Sequence, residues 1–599
     1  MEIKLPQKSV MNQTNRGEFS GDMWASWNLD LTSNIGKIRV SPHTESLAST
    51  AGLATLVKPV AFVRNLSGSG AVDTYFSVCN QRIISTPVAS ISWVADDITN
   101  SPTTALDSLY SDAVSFNGSL IVSLKTDVAK LTSGTWTAAW WTGTIGGATL
   151  TTGIAHPLCV SFNNLLLIGN GSNVASVDIT GTFDDTAIIL PNEYEVIWMR
   201  SSNSAVWIGA RHKFGGRAKV FMWDGYSENY NGDYEVGSSI TFAGVIKDGV
   251  CHTVNGNGKL MAFNGGGFTE VARFPIADDK VNTFDDNLTT YPININKNGI
   301  EVIDNNIHIL INATVESTGG TSFLLSNMLS GVWEYTPETG LHHKYSIGKN
   351  ESNVLEFGSP LLVMAGALFP TGDKRKFLAG VQMYVADGSS TSTELGNIVG
   401  INQDAKKKFG YIITPQIHTQ NVEEIWNKIY LLYSKLKQTG DFISVKYRQS
   451  VNNIPTPNQI SSTGSLYGTW TSTTTFTTTL SYFSGVSIGD EIEIMSGEGA
   501  GLSATITDIS FATPTYTVTI DYTLTGASGT FNFKTSNWVL IDSITDLITT
   551  NKEFSVEKNS NWIQFKICLY GLGSLTYSLA DSPELEKLII KSSPQLKAN

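Results

Sequence analysis

At 599 residues the chain exceeds a single ordinary core, and its 41% apolar and 10% aromatic content is that of a folded protein, not a disordered one. Only 16% of residues are charged, so Ser, Thr, Asn and Gly must cover much of the surface, and the formal charge of -13 argues against a general nucleic-acid binder, whose footprint would be a basic patch. The same charge suits a conduit wall that nucleic acid slides past without sticking.

The first residues, Met1-Glu2-Ile3-Lys4-Leu5-Pro6, lack an apolar signal core. No stretch approaches the roughly 18 apolar residues of a membrane-crossing helix, so neither a secretory signal nor a membrane span is expected. Residues 1–50 read as an arm. Trp24 and Trp27, followed by Leu29 and Leu31, predict that it packs either on its own body or on a neighbouring subunit. The two tryptophans are the interface candidates, because buried aromatics dominate interface energy.

From 51 to 405 a small turn followed by an apolar strand recurs, with starts about 40 to 57 residues apart. Phe116-Asn117-Gly118 precedes Ser119-Leu120-Ile121-Val122, and Phe162-Asn163-Asn164 precedes Leu165-Leu166-Leu167-Ile168. Ser202-Asn203-Ser204, Lys247-Asp248-Gly249 and Asp304-Asn305-Asn306 each lead into a similar strand. Recurrent aromatics beside Gly or Asx turns, at Trp136, Trp223, Phe263 and Trp333, read as outer-strand endings that fill space between adjoining sheets. Further units are expected around Val72–Val94 and Leu355–Ala386. A small sheet cannot bury both faces alone, so copies must stack, and a closed ring protects their edges. The expectation is an irregular six- to seven-bladed β-propeller.

Near 400 the pattern changes. Phe409-Gly410-Tyr411-Ile412-Ile413-Thr414-Pro415 is an apolar strand stopped by proline, and Ile443-Ser444-Val445-Lys446-Tyr447-Arg448 is an edge-type strand. Residues 422–433 read as strand or short helix. After 546, Trp562-Ile563-Gln564-Phe565-Lys566-Ile567 and the run ending at Lys591 supply partners. Residues 406–464 and 546–599 thus predict one β-sandwich in two parts. Between them, 465–545 is Thr-rich with a period of two, which predicts an inserted small β-barrel.

Chemistry is sparse. Cys79, Cys159, Cys251 and Cys568 are too few and dispersed for a disulfide scaffold or zinc knot and read as buried thiols. His342 and His343 are adjacent and so point to opposite faces of a strand, a poor chelate. His252 and His308 occupy matching places in successive repeats and would face a central channel, or serve as strand filler. The pairs Asp184-Asp185, Asp278-Asp279 and Asp285-Asp286 read as solvated turns, with calcium the alternative. Arg211, His212, Lys213 and Arg217 form the most basic loop and are candidates for a channel or for an anionic ligand. No facing carboxylate pair, Gly-x-Ser-x-Gly or phosphate loop is evident, so a non-enzyme without cofactor or metal is expected.

The strands at 409–415, 443–448 and 562–567, with the polar opening Leu5-Pro6-Gln7-Lys8-Ser9-Val10-Met11-Asn12-Gln13, resemble the nozzle, or tail tubular B, proteins of short-tailed bacteriophages. The chain departs from that family in size, since its members are often longer. The resemblance implies a virion tail protein, a homo-oligomeric six-fold ring below portal and adaptor proteins. Such a ring extends and gates a channel for double-stranded DNA and carries fibres or spikes. The rival expectation is a receptor- or glycan-binding propeller adhesin using Trp140, Trp141 and Tyr226 to Tyr230, and a glycoside hydrolase is a third.

Overall fold

The computed structural model describes residues 25–33, 37–47, 59–67, 72–79, 82–91, 93, 102, 106, 111–274, 293–313, 315–318, 321–324, 331–347, 362–385, 393–407, 409–414, 417–418, 424–449, 467–479, 486–494, 502–524, 527–560, 562–571 and 583–594. Among them the chain is all-β, built of small antiparallel sheets, and the one helical turn is the π-type Trp140–Ile145. Among the described residues no helix is long and apolar enough to cross a membrane.

Between residues 59 and 406 the sheets follow one another along the chain. The first has strands Pro59–Ser67, Val72–Cys79 and Arg82–Pro87, and the second runs from Ala113–Phe116 to Thr135–Thr137. The third begins at Leu158–Val160, the fourth at Tyr194–Ser201 and the fifth at Thr241–Lys247. The sixth contains Ile300–Ile303, Asn306–Ala313, Gly331–Thr336 and Gly340–Tyr345. The seventh orders Leu362–Pro370, Phe377–Val385, Thr393–Lys406 and, last, the N-terminal strand Pro42–Ser46. The first strand of each sheet packs on the first strand of the next, and Leu362–Pro370 returns to pack on Pro59–Ser67.

The recurring turns are the first hairpins of these sheets. Asn117 and Gly118 (φ 46° and 71°), Asp248 and Gly249 (51° and 79°), and Asp304 and Asn305 (50° and 64°) carry the paired positive φ of a two-residue turn. The strands that follow are therefore second strands. His252 and His308 lie on them, not on the first strands that touch one another, which fits the strand-filler alternative and not the channel-facing one. Of the aromatic endings only Trp136 falls on a fourth strand; Trp223, Phe263 and Trp333 sit on third strands.

Close approach between sheets depends on missing side chains. Trp198 is fully buried between the fourth and fifth sheets, where a Cβ on Gly209 or Gly244 would meet its ring at 2.0 and 2.3 Å. At the seam between seventh and first sheets, a Cβ on Gly366 would stand 2.0 Å from the Pro59 carbonyl oxygen. Here glycine is required for contact, not for flexibility.

In the C-terminal third, one sheet contains Phe409–Ile413, Trp562–Tyr570, Phe442–Gln449 and Thr530–Ile544. A second contains Glu584–Pro594, Glu424–Tyr433 and Asn551–Ser560, so 424–433 is strand. Leu29, Trp426, Ile443, Phe565, Ile567 and Leu588 from both sheets share one core. Every residue of Trp562–Tyr570 is buried because its other face carries Cys568 and Tyr570 into a second core with Phe476, Ile492 and Phe531. That second core belongs to the Thr-rich insertion. Pairing there runs from Thr530–Ile544 through Tyr467–Trp470, Thr475–Thr479, Thr515–Ile520, Ser503–Ala512 and Asp490–Ile494 back to Thr530–Ile544. The strand Thr530–Ile544 also pairs with Phe442–Gln449, so one strand serves both units.

The described strands near the N-terminus each join a sheet of the body. Ala25–Trp27 pairs with Phe409–Ile413, Ile38–Val40 pairs with Glu584–Leu585, and Pro42–Ser46 completes the seventh sheet.

Candidate functional site

Three polar assemblies hold these units together. The first lies where the first strands meet. The turn Asn296–Gly299, between the strands Ile293–Asn294 and Ile300–Ile303 of the sixth sheet, reaches across to several others. Asn298 donates to the Val60 carbonyl (3.1 Å) and to Asp112 Oδ1 (2.8 Å), and its own Oδ1 accepts from Arg200 (3.2 Å). Its carbonyl accepts from Leu368 N–H (2.8 Å), and Arg200 also donates to the Lys297 carbonyl (3.0 Å). One turn thereby touches the first, second, fourth and seventh sheets. Asp112, with Lys297 at 3.8 Å, takes the Leu158 N–H at its other oxygen (3.0 Å) and so adds the third. Burial pushes the nearby Glu301 carboxyl up, against the pull of Arg200.

The second assembly is a clasp. Residues 26–32 wrap the outermost strand of the sixth sheet, Gly340–Tyr345, on both faces. On one face Trp27 stacks on His343 with ring centroids 3.9 Å apart, Asn28 N–H donates to His343 Nδ1 (3.0 Å), and His343 N–H donates to Ser26 Oγ (3.0 Å). Asn28, at φ 51°, also accepts from Ser346 N–H at 2.7 Å and donates to the Phe409 carbonyl at 3.3 Å. On the other face Lys344 Nζ reaches Glu334 Oε2 (2.7 Å) and Thr32 Oγ1 (2.8 Å), and Thr32 donates to the same Glu334 oxygen (3.1 Å). His308 and His342 lie 3.5 and 3.2 Å from Glu334, and Asp30 is paired with Arg39 at 3.1 Å. His342 and His343 thus face opposite ways, as expected of neighbours on a strand.

Electrostatics follow from this packing. Burial raises the Glu334 carboxyl, but Lys344 and the two histidines outweigh it and hold it well below the ordinary range. Burial likewise opposes ionisation of Asp30, yet Lys344, Ser33 and Arg39 bring it down to about 2. For His308 burial wins over the attraction of Glu334, and the imidazole is pushed down to about 4.

The third assembly joins the insertion to the strands beneath it. Lys446 and Lys566, on neighbouring strands, each donate to Glu491 at 2.7 Å, and Lys566 also donates to Ser503 Oγ at 2.7 Å. Burial opposes the charge on Glu491, and the two ammonium groups overcome it, leaving the carboxyl at about 2. The Tyr570 hydroxyl donates to the Ser503 carbonyl at 2.7 Å.

The residues singled out from sequence fall elsewhere. Arg211 is paired with Glu195 (3.1 Å), Arg217 with Glu235 (3.1 Å), and Lys213 donates to the Asn192 carbonyl (2.7 Å). His212 Nδ1 accepts the N–H groups of Phe214 and Gly216, so the basic loop is folded on itself and its cations do not converge. Trp27 is 3% exposed within its own chain and stacks on His343; Trp24 lies outside the described residues. Trp140 and Trp141 are buried, which removes them as a sugar platform, while Tyr226 is 77% exposed. Asp278-Asp279 and Asp285-Asp286 lie outside the described residues, and Asp184 and Asp185 bond to backbone N–H groups of Thr186 and Ala148. Among the described residues no group of three His, Cys, Asp or Glu is placed to hold a metal, and all four cysteines are buried thiols outside any disulfide.

No family model and no curated protein matches the chain. Among solved structures, the extracellular domain of a hybrid two component system from B. thetaiotaomicron is similar at 10% identity and a TM-score of 0.36, covering 73% of this chain and 45% of that one. The computationally designed Ika8 protein is similar at 11% identity and a TM-score of 0.34, covering 60% of this chain and 100% of that one.

Proposed function

We propose that the chain is a structural, non-enzymatic wall subunit of a short bacteriophage tail, of the nozzle kind. In this reading the seven sheets are blades of a propeller, the paired C-terminal sheets a β-sandwich, and the Thr-rich insertion a small barrel. The observation that carries the reading is continuity: residues 25–46 enter three separate sheets, and strand Thr530–Ile544 is shared by sandwich and insertion. A body stitched at every junction suits a part that must transmit force without its units separating.

In this reading the turn at Asn298, which bonds to Val60, Asp112 and Arg200, crosses the middle of the blades. A DNA conduit would then run between copies of the chain arranged in a ring, and the net charge of -13 gives that wall the repulsive character a sliding duplex needs. Portal or adaptor proteins above and fibres or spikes at the side are the partners this reading assigns. Light scattering and electron microscopy of the purified chain test it: six-fold rings are expected, and a monomer that neither forms rings nor enters tail particles sinks it. A second reading, a glycan-binding propeller, draws on exposed Tyr226, whose ring meets Phe162 edge-on at 6.0 Å. Binding to a glycan array abolished by Tyr226→Ala would favour it.

A further inference from the structure

We propose, resting on the ring reading above, that the outer edge of the third sheet is the docking place for residues 1–24 of a neighbouring copy. Each subunit is then strapped to the next by its N-terminal segment.

The edge is singled out by what it exposes. Among the described residues, the last strand of the third sheet, Phe183–Ile189, is seven residues long and pairs on one side only. The last strands of the second, fourth and fifth sheets have three, four and six residues. Phe183 is 38% exposed, Ile189 49% and Ile179, in the turn ahead of the strand, 60%. Three large apolar side chains left in water on one hairpin mark a surface that a partner covers. Phe183 lies edge-on to Trp141 at 5.7 Å, so it stands on the side of the second sheet and its neighbour Asp184 on the other. Ile188 enters the core shared with the fourth sheet, which puts Ile189 on the same side as Phe183.

The charges of this edge are acidic, and among the described residues no cation pairs with them. Asp178 and Asp184 accept the N–H groups of Thr180 and Thr186 at 2.8 Å, and Asp185 accepts that of Ala148 at 2.8 Å. Because Asp184 takes the Thr186 N–H, docking here is by side chains and charge more than by an unbroken ladder of backbone bonds.

Residues 1–24 lie outside the described residues, and their sequence carries the complementary pattern. In a chain of charge -13, Lys4, Lys8 and Arg16 stand against Glu2 alone up to position 16. Ile3-Lys4-Leu5, if extended, turns two apolar side chains one way and a cation the other, the counterpart of Phe183 and Asp184.

The neighbouring copy follows from where the segment leaves the body. Ala25–Trp27 packs on Gly340–Tyr345 of the sixth sheet. In the cyclic order in which the first strands pack, the third sheet stands three places from the sixth, the largest separation that seven sheets allow. A segment leaving one side and an acceptor on the opposite side are the two halves of a head-to-tail contact, which closes into a ring. An extended segment of this length spans up to about 80 Å, enough to cross to an adjoining copy.

Carbodiimide coupling, which joins a lysine amine to a carboxylate in direct contact, tests the proposal on the full chain. In the wild type, bonds between Lys4 or Lys8 and Asp184 or Asp185 are expected in the peptide mass spectrum. Co-expression of two chains shows which copy supplies each end: one carries Lys4→Arg and Lys8→Arg, the other Asp184→Asn and Asp185→Asn. Neither forms the bond alone, so its appearance in the mixture reports contact between copies. Asp184→Lys is expected to raise the concentration needed for assembly about tenfold, and Lys4→Asp with Lys8→Asp in the same chain to restore it, as read by sedimentation. If rings form and the wild type gives no such bond, or the mixture gives none while the wild type does, the segment docks elsewhere or on its own body. The proposal then falls and the ring reading stands. A chain that stays monomeric at every concentration removes both. An Asp184→Lys chain that assembles like wild type removes this edge as the acceptor, and the wild-type coupling decides the matter should that variant fail to fold.

Discussion

Asn28 and His343, more than three hundred residues apart in sequence, are joined by a hydrogen bond from backbone N–H to imidazole at 3.0 Å, and both are fully buried. Asn28 reaches the geometry by adopting φ 51°, which asparagine tolerates better than other residues with a Cβ. Its side chain then satisfies Ser346 N–H and the Phe409 carbonyl, linking the sixth sheet to the C-terminal sheets through one residue.

Replacement of Asn28 by alanine is therefore expected to remove two buried hydrogen bonds and strain the backbone at once. The cost should be about 2 kcal/mol at least, since each of the two orphaned buried groups costs about 1–3 kcal/mol and the left-handed conformation adds to it. Asn28→Gly relieves the strain alone and should lose less. Urea denaturation of the three proteins checks this; equal stability of Asn28→Ala and wild type would mean the residue is not a junction.

At the seam between seventh and first sheets the expected behaviour is steric. Gly366→Ala places a methyl group 2.0 Å from the Pro59 carbonyl oxygen, with the Gly380 carbonyl oxygen at 2.3 Å. Both are backbone atoms and cannot swing aside, so overpacking of about 1–3 kcal/mol or more is expected. Gly267→Ala, with nothing within 4 Å, is the control and should be close to neutral. Thermal midpoints of the two variants distinguish a tight seam from a loose one.

Much of the run of small sheets between residues 59 and 406 is legible in sequence because its information is local. Asn117-Gly118 and Asp248-Gly249 announce a hairpin through two adjacent residues, and the apolar run that follows identifies the second strand. The units expected around Val72–Val94 and Leu355–Ala386 are likewise sheets, since each hairpin is self-contained. The clasp is not legible. Its partners, Asp30 with Lys344 or Thr32 with Glu334, lie about three hundred residues apart, and nothing in a period of two reports which distant strand a segment joins. His342-His343 carries a partial signal, because two adjacent histidines beside Lys344 inside an apolar strand must each find a buried partner. Trp140-Trp141 misled because a single π-helical turn buries both rings, and no periodicity marks a single turn.

Acid should destabilise the chain before its carboxylates alone would require. His308 falls from the ordinary 6.5 to about 4 because burial disfavours its charged form. A histidine depressed in the folded state contributes stability above 6.5 that is lost as pH falls towards about 4. Asp30, lowered from 3.8 to about 2, adds a second loss below about 4 in the same direction, as does Glu334. The first window is worth up to about 3 kcal/mol at one pKa unit per 1.4 kcal/mol. His308→Gln should flatten the stability profile between pH 6.5 and about 4 relative to wild type, as read by urea titration at each pH. Parallel profiles would remove His308 from the account.

The assembly of Lys446, Glu491 and Lys566 separates two meanings of a buried charge. Glu491→Gln leaves two ammonium groups, 0% and 3% exposed, without their common carboxylate. Breaking a buried pair from one side costs about 3–5 kcal/mol, so this single change should rank among the most damaging in the C-terminal third. The triple variant Lys446→Met, Glu491→Leu, Lys566→Met removes all three charges together and should recover most of that loss, because desolvation of the ions is no longer opposed to their attraction. What the triple variant should not recover is fixed seating of the insertion, since the two 2.7 Å bonds to one carboxylate are directional and leucine contacts are not. Hydrogen exchange at Asp490–Ile494 reads the seating, and urea denaturation reads the stability. If the triple variant matches wild type in both, the charges serve neither; if it stays as unstable as Glu491→Gln, the cluster is a net source of stability and the desolvation argument fails.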